Sequence, residues 1–405
     1  MQILLVDDNP VLLMTVAAML RRHGHEAILA EDGNQAWALL EREDIRFVIS
    51  DWMMPGLDGP TLCRRIRSAS FSHYVYFMLL TGREGKESLV VGMDAGADDF
   101  LVKPVDREEL RVRVRAGERV LELEHMLAER NLRLQQAYST IRQDLESAAS
   151  MQKALLPPPA VHGGVRFEWL FRPSNLIGGD MFGYFPLDQR HLVFYLLDVA
   201  GHGIPSALLS FTVNKILSQG IGGDSLLRRP IPHAPYHEPV PVEEVVAELN
   251  RRFQLEESSL LYFTMVYGVL DTQRGHLSMV RAGHPAPIRL GANGTLSALH
   301  DGDLAVGMMP DTVFTPIHLD LAVGDRLVVY SDGISDCKNG DDEAFSAQRL
   351  HQMLEASRYL PLDQSIRRIG DALRDWKGDE IYADDISLLA LERLSPDAVD
   401  DGTGN

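Results

Sequence analysis

Cysteine is almost missing from this chain: Cys63 and Cys337 are the only two among 405 residues. Two thiols so far apart build neither a disulfide framework nor a cysteine metal knuckle. Basic residues are also short, 39 Lys and Arg against 58 Asp and Glu, for a formal charge of −19. That balance excludes a dedicated nucleic-acid surface and favours proteins or cations as partners. No apolar run approaches the roughly 18 residues of a membrane span. The opening "MQILLVDDNP" lacks the basic and apolar regions of a signal peptide. The expectation is a soluble cytoplasmic protein that neither enters a membrane nor binds nucleic acid. What is present is ordinary: 45% hydrophobic and 24% charged residues describe globular domains, and the length allows two or three of them at about 150 residues each.

In the first third, short apolar runs alternate with helical stretches, which predicts a parallel sheet covered by helices. The runs "ILLV", "FVIS", "YFMLL" and "DFLV" lead into Asp7 and Asp8, Asp51, Thr81 and Lys103. The functional crevice of an open parallel sheet lies at the carboxyl ends of its strands. Three acids gathered there repel one another and call for a hard divalent cation such as Mg²⁺. Lys103 and the ion would offset charge on an incoming phosphoryl group, leaving Asp51 as acceptor nucleophile and Thr81 as a hydroxyl that bonds a phosphoryl oxygen.

"VDDNP", "DWMMPGLDG", "LLTG" and "GADDFLVKP" occur in the order and spacing of a response-regulator receiver domain, which residues 1–118 resemble. The resemblance implies an α/β flavodoxin-like fold with a parallel five-stranded sheet. It also implies phosphorylation of Asp51 by a histidine kinase or phosphotransfer protein. Asp8, Asp51 and the Met53 carbonyl would hold Mg²⁺, with Asp7 acting through water. Phe100 takes the place of the aromatic switch residue, and Lys103-Pro104 that of the customary Lys-Pro bond.

Residues 106–155 hold no proline and only one glycine, Gly117. Leu127, Asn131, Leu134, Tyr138, Ile141, Leu145, Ala148, Gln152 and Leu155 recur at alternating spacings of four and three. That is a heptad seam, with Asn131 at an a position where a polar side chain fixes register in a parallel pair. The expectation is a helical coiled-coil linker over residues 119–156 that makes a parallel homodimer. The competing reading is a long helix that packs against its own domain. "PPP" at 157–159 ends the helix.

Beyond the prolines, "HLVFYLLD", "YFTMVYGVLD", "HLSMVRAG" and "DRLVVYSDG" read as strands joined by tight turns. Helical stretches are expected near 204–220, 242–256, 346–357 and 361–376, giving an α+β layered domain. The Pro- and His-rich segment around His233 and His237 reads as a solvated loop. Acids again stand at strand ends beside small residues: Asp180 in "GGD", Asp198 in "LLDVAGHG", Asp332 in "YSDGISD", and Asp384 with Asp385 in "ADDISLL". Carboxylates without histidine or cysteine partners suit Mg²⁺ or Mn²⁺, and two such ions can activate a bridging water beside a phosphoryl group. "NLIGGDMFGYF" also evokes the Gly-Gly-Asp-Glu-Phe hairpin of a cyclic-dinucleotide synthase, but Met181 stands where that enzyme needs Glu.

In order, "MQKALLP", "GGD", "DVAGHG", "FTMVYGVLD", "RAGHPAP", "YSDGISD" and "DDISLL" resemble the metal-dependent serine/threonine phosphatases (PPM), in the bacterial SpoIIE/RsbU branch. The resemblance implies two antiparallel sheets flanked by helices over residues 157–393, with an acidic, disordered tail at 394–405. It also implies two Mn²⁺ or Mg²⁺ ions. Asp198 would bridge them, Asp332 and Asp384 would complete one site, the Val199 carbonyl would serve the other, and Asp180 would orient metal-bound water. Asp385 would be a supporting residue. His202 would protonate a leaving oxygen or cap the next helix, and the role of His284 stays equally open. No arginine clamp for phosphate is evident.

The function expected is a response regulator in which phosphorylation of Asp51 controls hydrolysis of phosphoserine or phosphothreonine on a protein. The resemblance points to an anti-sigma-factor antagonist of the STAS type. The alternative is a pseudophosphatase adaptor that binds a sigma factor or related client without catalysis; retention of the four acids argues against it.

Overall fold

Alternation of buried side chains builds the first part of the chain. β1 (Gln2–Val6), α1 (Pro10–Arg22), β2 (Glu26–Ala30), α2 (Gly33–Leu40), β3 (Phe47–Asp51), α3 (Gly59–Ser68), β4 (Tyr76–Thr81), α4 (Lys86–Asp94) and β5 (Asp99–Val102) follow one another. The computed structural model describes residues 1–69, 71–82, 86–201, 203–218, 225–254, 261–378 and 382–395. The strands form one parallel sheet in the order β2-β1-β3-β4-β5, the flavodoxin-like arrangement. Leu4, Val6, Val48, Phe77 and Leu79 pack with α2 and α3 on one face. Ile3, Leu5, Ile49, Met78 and Leu80 face α1 and the next helix on the other, as a period of two requires. Asn9, Asp32 and Asp58 cap α1, α2 and α3 by accepting backbone N–H bonds.

That next helix, α5 (Arg107–Leu155), is continuous for 49 residues. Leu110 and Val114 bury its first turns against the sheet. The expected domain boundary at residue 118 therefore falls inside a helix, and the chain divides into two compact units between Thr140 and Ile141. Leu127, Leu134, Tyr138 and Ile141 of the heptad seam are exposed. Gln152 is not: it is 1% exposed and belongs to the second unit's interior. There the helix packs against its own domain.

The second unit comprises β6 (Ala160–His162), β7 (Val165–Arg172), β8 (Met181–Pro186), β9 (His191–Val199), α6 (Ile204–Ser218), β10 (Arg228–Pro230), β11 (His237–Pro239) and α7 (Val242–Arg252). β12 (Phe263–Asp271), β13 (His276–Ala282), β14 (Ile288–Leu290), β15 (Leu296–Ala298), β16 (Ile317–Asp320) and β17 (Arg326–Tyr330) come next. α8 (Asp332–Ser335), α9 (Ala347–Ala356), α10 (Leu362–Lys377) and β18 (Ile386–Arg393) complete it. Two antiparallel sheets form, β16-β13-β12-β9-β8 and β15-β14-β17-β18-β7-β6. Leu196, Leu197, Val266, Leu327, Val329, Leu389 and Leu391 belong to the core between the sheets and under α6 and α7. The alternate residues Val328, Tyr330, Leu388 and Ala390 pack with α9 and α10. The segment expected to be a plain loop carries a small hairpin, β10 with β11. Its turn contains the Pro-rich sequence at 231–236. The tail residues 396–405 lie outside the described residues.

β18 is the centre of the second sheet, paired with β17 on one side and β7 on the other. Leu389 in it is 1% exposed. Leu389→Ala is expected to cost about 2–5 kcal/mol of unfolding free energy, read from the guanidinium midpoint of the full chain.

Candidate functional sites

In the first unit, β1, β3 and β5 bring Asp7, Asp8, Asp51 and Lys103 to one sheet edge. The carboxylate oxygens of Asp7, Asp8 and Asp51 all lie within 4.8 Å of one another. Lys103 Nζ stands 2.7 Å from Asp7 Oδ2 and 2.6 Å from Asp51 Oδ1. Burial pushes Asp51 up from its ordinary value, the Lys103 hydrogen bond opposes this, and the Asp7 charge adds to it. Burial alone would lower the Lys103 amine, but its bonds to Asp51 and Asp7 raise it overall. Thr81 ends β4 and is buried, Met53 is exposed beside Asp51, and Phe100 in β5 lies under the Arg113 guanidinium, 5.4 Å from the ring centre. The edge thus joins a partly buried carboxylate, a hydroxyl, a fixed cation and an acid cluster able to take a hard metal.

In the second unit, four loops converge. Asp198 stands near the end of β9, Asp332 opens α8 just after β17, Asp384 and Asp385 precede β18, and Asp180 precedes β8. Asp180 is 1% exposed, and both its carboxylate oxygens lack a hydrogen-bond partner. Burial and the charges of Asp198 and Asp385 push it well above the ordinary carboxylate value. The nearby Ser387 and Ser331 hydroxyls oppose that rise only in part, and Ser331 Oγ also donates to the Asp385 carbonyl, 3.1 Å. Asp198 is pushed up to about 7, by burial first and then by Asp332, with Asp384 and Asp385 also raising it. Asp332 rises through burial and the charges of Asp384 and Asp336. No three of these acids offer oxygens within 4.8 Å of one another.

Asp385 organises the loop that carries Asp180. Its Oδ1 accepts from the Ser174 amide, 2.7 Å, and hydroxyl, 2.9 Å, and its Oδ2 accepts from the Asp180 amide, 3.2 Å. Two glycines next to the acids make room for this residue. A Cβ on Gly178 would lie 2.4 Å from Asp385 Oδ2, and one on Gly333 would lie 2.1 Å from the Asp385 carbonyl. Gln152, at the end of α5, grips the same loop. Its Oε1 accepts from the Gly178 amide, 3.1 Å, and its Nε2 donates to the carbonyls of Gly178 and Asp180, 3.0 and 3.3 Å. Nothing in the sequence but a polar residue at a seam position hinted at this.

Thr264 pairs in register with Asp198 across β12 and β9. Its Oγ1 lies 2.7 Å from His284 Nδ1. His284 is fully buried, and desolvation with the Arg281 charge pushes it down to about 3, so it is neutral. It therefore buttresses a residue beside Asp198 rather than carrying a titrating proton. His202 lies outside the described residues. His237 in β11 is exposed, and neither it nor His233 joins a metal-ligating group among the described residues.

A parallel-sheet unit with an acid-and-lysine edge, followed by a two-sheet sandwich with acids at its strand ends, is the architecture of a receiver joined to a PPM-type phosphatase. The chain belongs to the Stage II sporulation protein E (SpoIIE) family, whose sequence model matches residues 188–394. Residues 3–115 match the response regulator receiver domain. Phosphoserine phosphatase RsbP of Bacillus subtilis is 29% identical over 206 residues, covering 50% of this chain and 47% of RsbP. Protein RcaC of Microchaete diplosiphon is 39% identical over 116 residues, covering 29% of this chain and 18% of RcaC. The chain thus spans less than half the length of these relatives. The SiaA-PP2C domain of Pseudomonas aeruginosa shares the fold, with a TM-score of 0.54 at 20% identity over 64% of this chain and 99% of that domain. No helix among the described residues is long and apolar enough to cross a membrane.

Two outcomes follow from this geometry. Gln152→Ala is expected to leave the 178–180 loop's amide and carbonyls unpaired, at a cost of about 1–3 kcal/mol for each group that water does not reach. Hydrogen exchange at the Gly178 amide should then accelerate; an unchanged rate would refute the clamp. The second outcome concerns pH. Asp198 binds its proton more tightly folded than unfolded, so stability is greatest below the unfolded carboxylate value and falls as pH rises toward 7. Chelator-treated protein should lose about 1.4 kcal/mol per pH unit per such group between pH 5 and 7, in denaturant titrations. Asp198→Asn should flatten that slope.

Proposed function

We propose that the second unit is a metal-dependent protein phosphatase acting on phosphoserine or phosphothreonine, and that phosphorylation of Asp51 in the first unit controls it. The observation that carries this is the acid edge. Asp180, Asp198, Asp332 and Asp384 occupy strand ends of a SpoIIE-family fold, and Asp180 is buried there with no partner for either oxygen. No basic side chain is among the groups acting on Asp180, Asp198 or Asp332. An all-carboxylate set of this kind fits Mg²⁺ or Mn²⁺. Asp198, Asp332, Asp384 and the Val199 carbonyl would hold the ions, and Asp180 would orient bound water. When bound, such ions activate water and neutralise a phosphoryl group.

The chain's own groups do the rest. Asp385 and Gln152 hold the Asp180 loop in place, and Thr264 with neutral His284 supports the strand end at Asp198. In the receiver, Asp7, Asp8, Asp51 and the Met53 carbonyl would hold Mg²⁺. Lys103 is placed to balance charge on a phosphorylated Asp51, and Thr81 and Phe100 would respond to it. Likeness to RsbP supports a partner-switching role, with a phosphorylated anti-sigma-factor antagonist as substrate and a histidine kinase or phosphotransfer protein as donor. The exposed seam residues of α5 would pair two copies in parallel up to about Ala148.

The test is hydrolysis of para-nitrophenyl phosphate with added Mn²⁺. Wild type should be active and chelator-sensitive, and Asp198→Ala should lose at least a hundredfold. An inactive wild type that still binds its client would establish the adaptor reading instead. For the receiver, Asp51→Asn should abolish any change in activity on treatment with a small-molecule phosphodonor.

A further inference from the structure

Two Arg-Arg pairs far apart in sequence, Arg228-Arg229 and Arg251-Arg252, meet around one concavity of about 540 Å³. The floor and walls come from the β10 side of the small hairpin and the outer face of α7. In a chain with 58 acidic and 39 basic residues, an average patch of surface is negative, yet here four arginines face two glutamates, Glu244 and Glu248. Arg228 makes no ion pair or side-chain hydrogen bond among the described residues. The other three are paired with the two glutamates. Arg229 pairs with Glu244 at 2.5 Å with both side chains about half exposed. Arg251 and Arg252 share the single carboxylate of Glu248. Exposed pairs of this kind contribute little and exchange readily for a better carboxylate. Guanidinium groups are also the cations best shaped to take carboxylates bidentately.

The concavity is tied to the acid edge. Asn250, in the last turn of α7, accepts from the Gly307 amide at 2.7 Å and donates to the Met309 carbonyl at 3.0 Å. Val306, next to Gly307, bridges to Phe263, and Phe263 pairs with Val199 beside Asp198. A polypeptide bound along α7 would therefore be held on the element that braces the catalytic strand ends.

We propose that this concavity docks an acidic segment of the protein substrate, taking carboxylates on Arg228, Arg229, Arg251 and Arg252. The proposal rests on the phosphatase reading for the word substrate, but its binding test does not require catalysis. A fluorescein-labelled octapeptide rich in Glu and its Gln counterpart are titrated against the full chain by anisotropy. Hydrolysis of para-nitrophenyl phosphate is measured in parallel. The Glu peptide should bind at least tenfold tighter than the Gln peptide, and weaken as salt rises. Arg228→Ala with Arg251→Ala should weaken it at least tenfold while para-nitrophenyl phosphate turnover stays at the wild-type level. Glu248→Gln, which removes the competing carboxylate, should tighten it about threefold or more, a gain that misfolding does not produce. Equal binding of the two peptides, unaffected binding in the double arginine variant, or weaker binding in Glu248→Gln would each overturn the proposal. Loss of turnover in the wild type with peptide discrimination intact would instead remove the catalytic reading and leave the docking site standing.

Discussion

Carboxylates forced together away from water are the constraint on which both halves of this molecule turn. Burial penalises each charge and every neighbour adds repulsion, so such groups persist only where the surrounding scaffold is strong enough to hold them. The first unit meets the constraint with its own cation: Lys103 contacts both Asp7 and Asp51 within 2.7 Å. In the second unit no lysine is among the groups that act on Asp180, Asp198 or Asp332. Asp180, Asp198 and Asp332 are all pushed upward by burial and by neighbouring acids, opposed only by the Ser387 and Ser331 hydroxyls at Asp180, by Asp180 at Asp198 and by backbone amides at Asp332. The contrast explains why the two sites suit different chemistry. A resident ammonium balances charge at the receiver edge, whereas the acid set of the phosphatase fold is of the all-oxygen kind that suits a hard divalent cation.

The scaffold that resists the repulsion is non-local. Asp385 binds the loop of Asp180 from 205 residues away, and Ser331 links the loop of Asp332 to Ser387 and Asp385. Asp332 and Asp384 are thus set by the pairing of β18 with β17, while Asp198 is held in the other sheet by the pairing of β9 with β12 and β8. Gly178 and Gly333 are part of the same device, because each lies where any side chain would strike Asp385. The sequence shows only that the acids stand beside small residues. In the structure the glycines are room for a supporting carboxylate, which places Asp385 nearer to the working centre than its position behind Asp384 suggested.

How much was legible follows from what kind of signal each feature leaves. The receiver was readable almost residue by residue, since each functional group ends a short apolar strand and parallel sheets put strand ends in one place. The acids of the second unit were readable because each stands beside a small residue where an apolar run starts or ends, and its four long helices fell within a few residues of expectation. The hairpin of β10 and β11 was hidden in a Pro- and His-rich segment whose composition spells only a loop. The Arg-rich concavity was hidden because its two Arg-Arg pairs are 22 residues apart at their nearest, and only the fold brings them together. The support from Thr264 and His284 was equally invisible, because cross-strand register is not encoded in either segment alone.

Gln152 shows where a correct periodic pattern stops being informative. A seam position in a helix is defined only by spacing, and spacing places Gln152 on the same stripe as Leu134 and Ile141. Its amide is nonetheless engaged three times by the loop of Asp180. A two-stranded coil that continued through this residue would have to withdraw that amide, leaving one N–H and two carbonyls of a buried loop unpaired at about 1–3 kcal/mol each. One seam contact with a second glutamine does not offset such a loss. The exposed stripe and the buried grip are therefore separate functions of one helix, divided near Ala148.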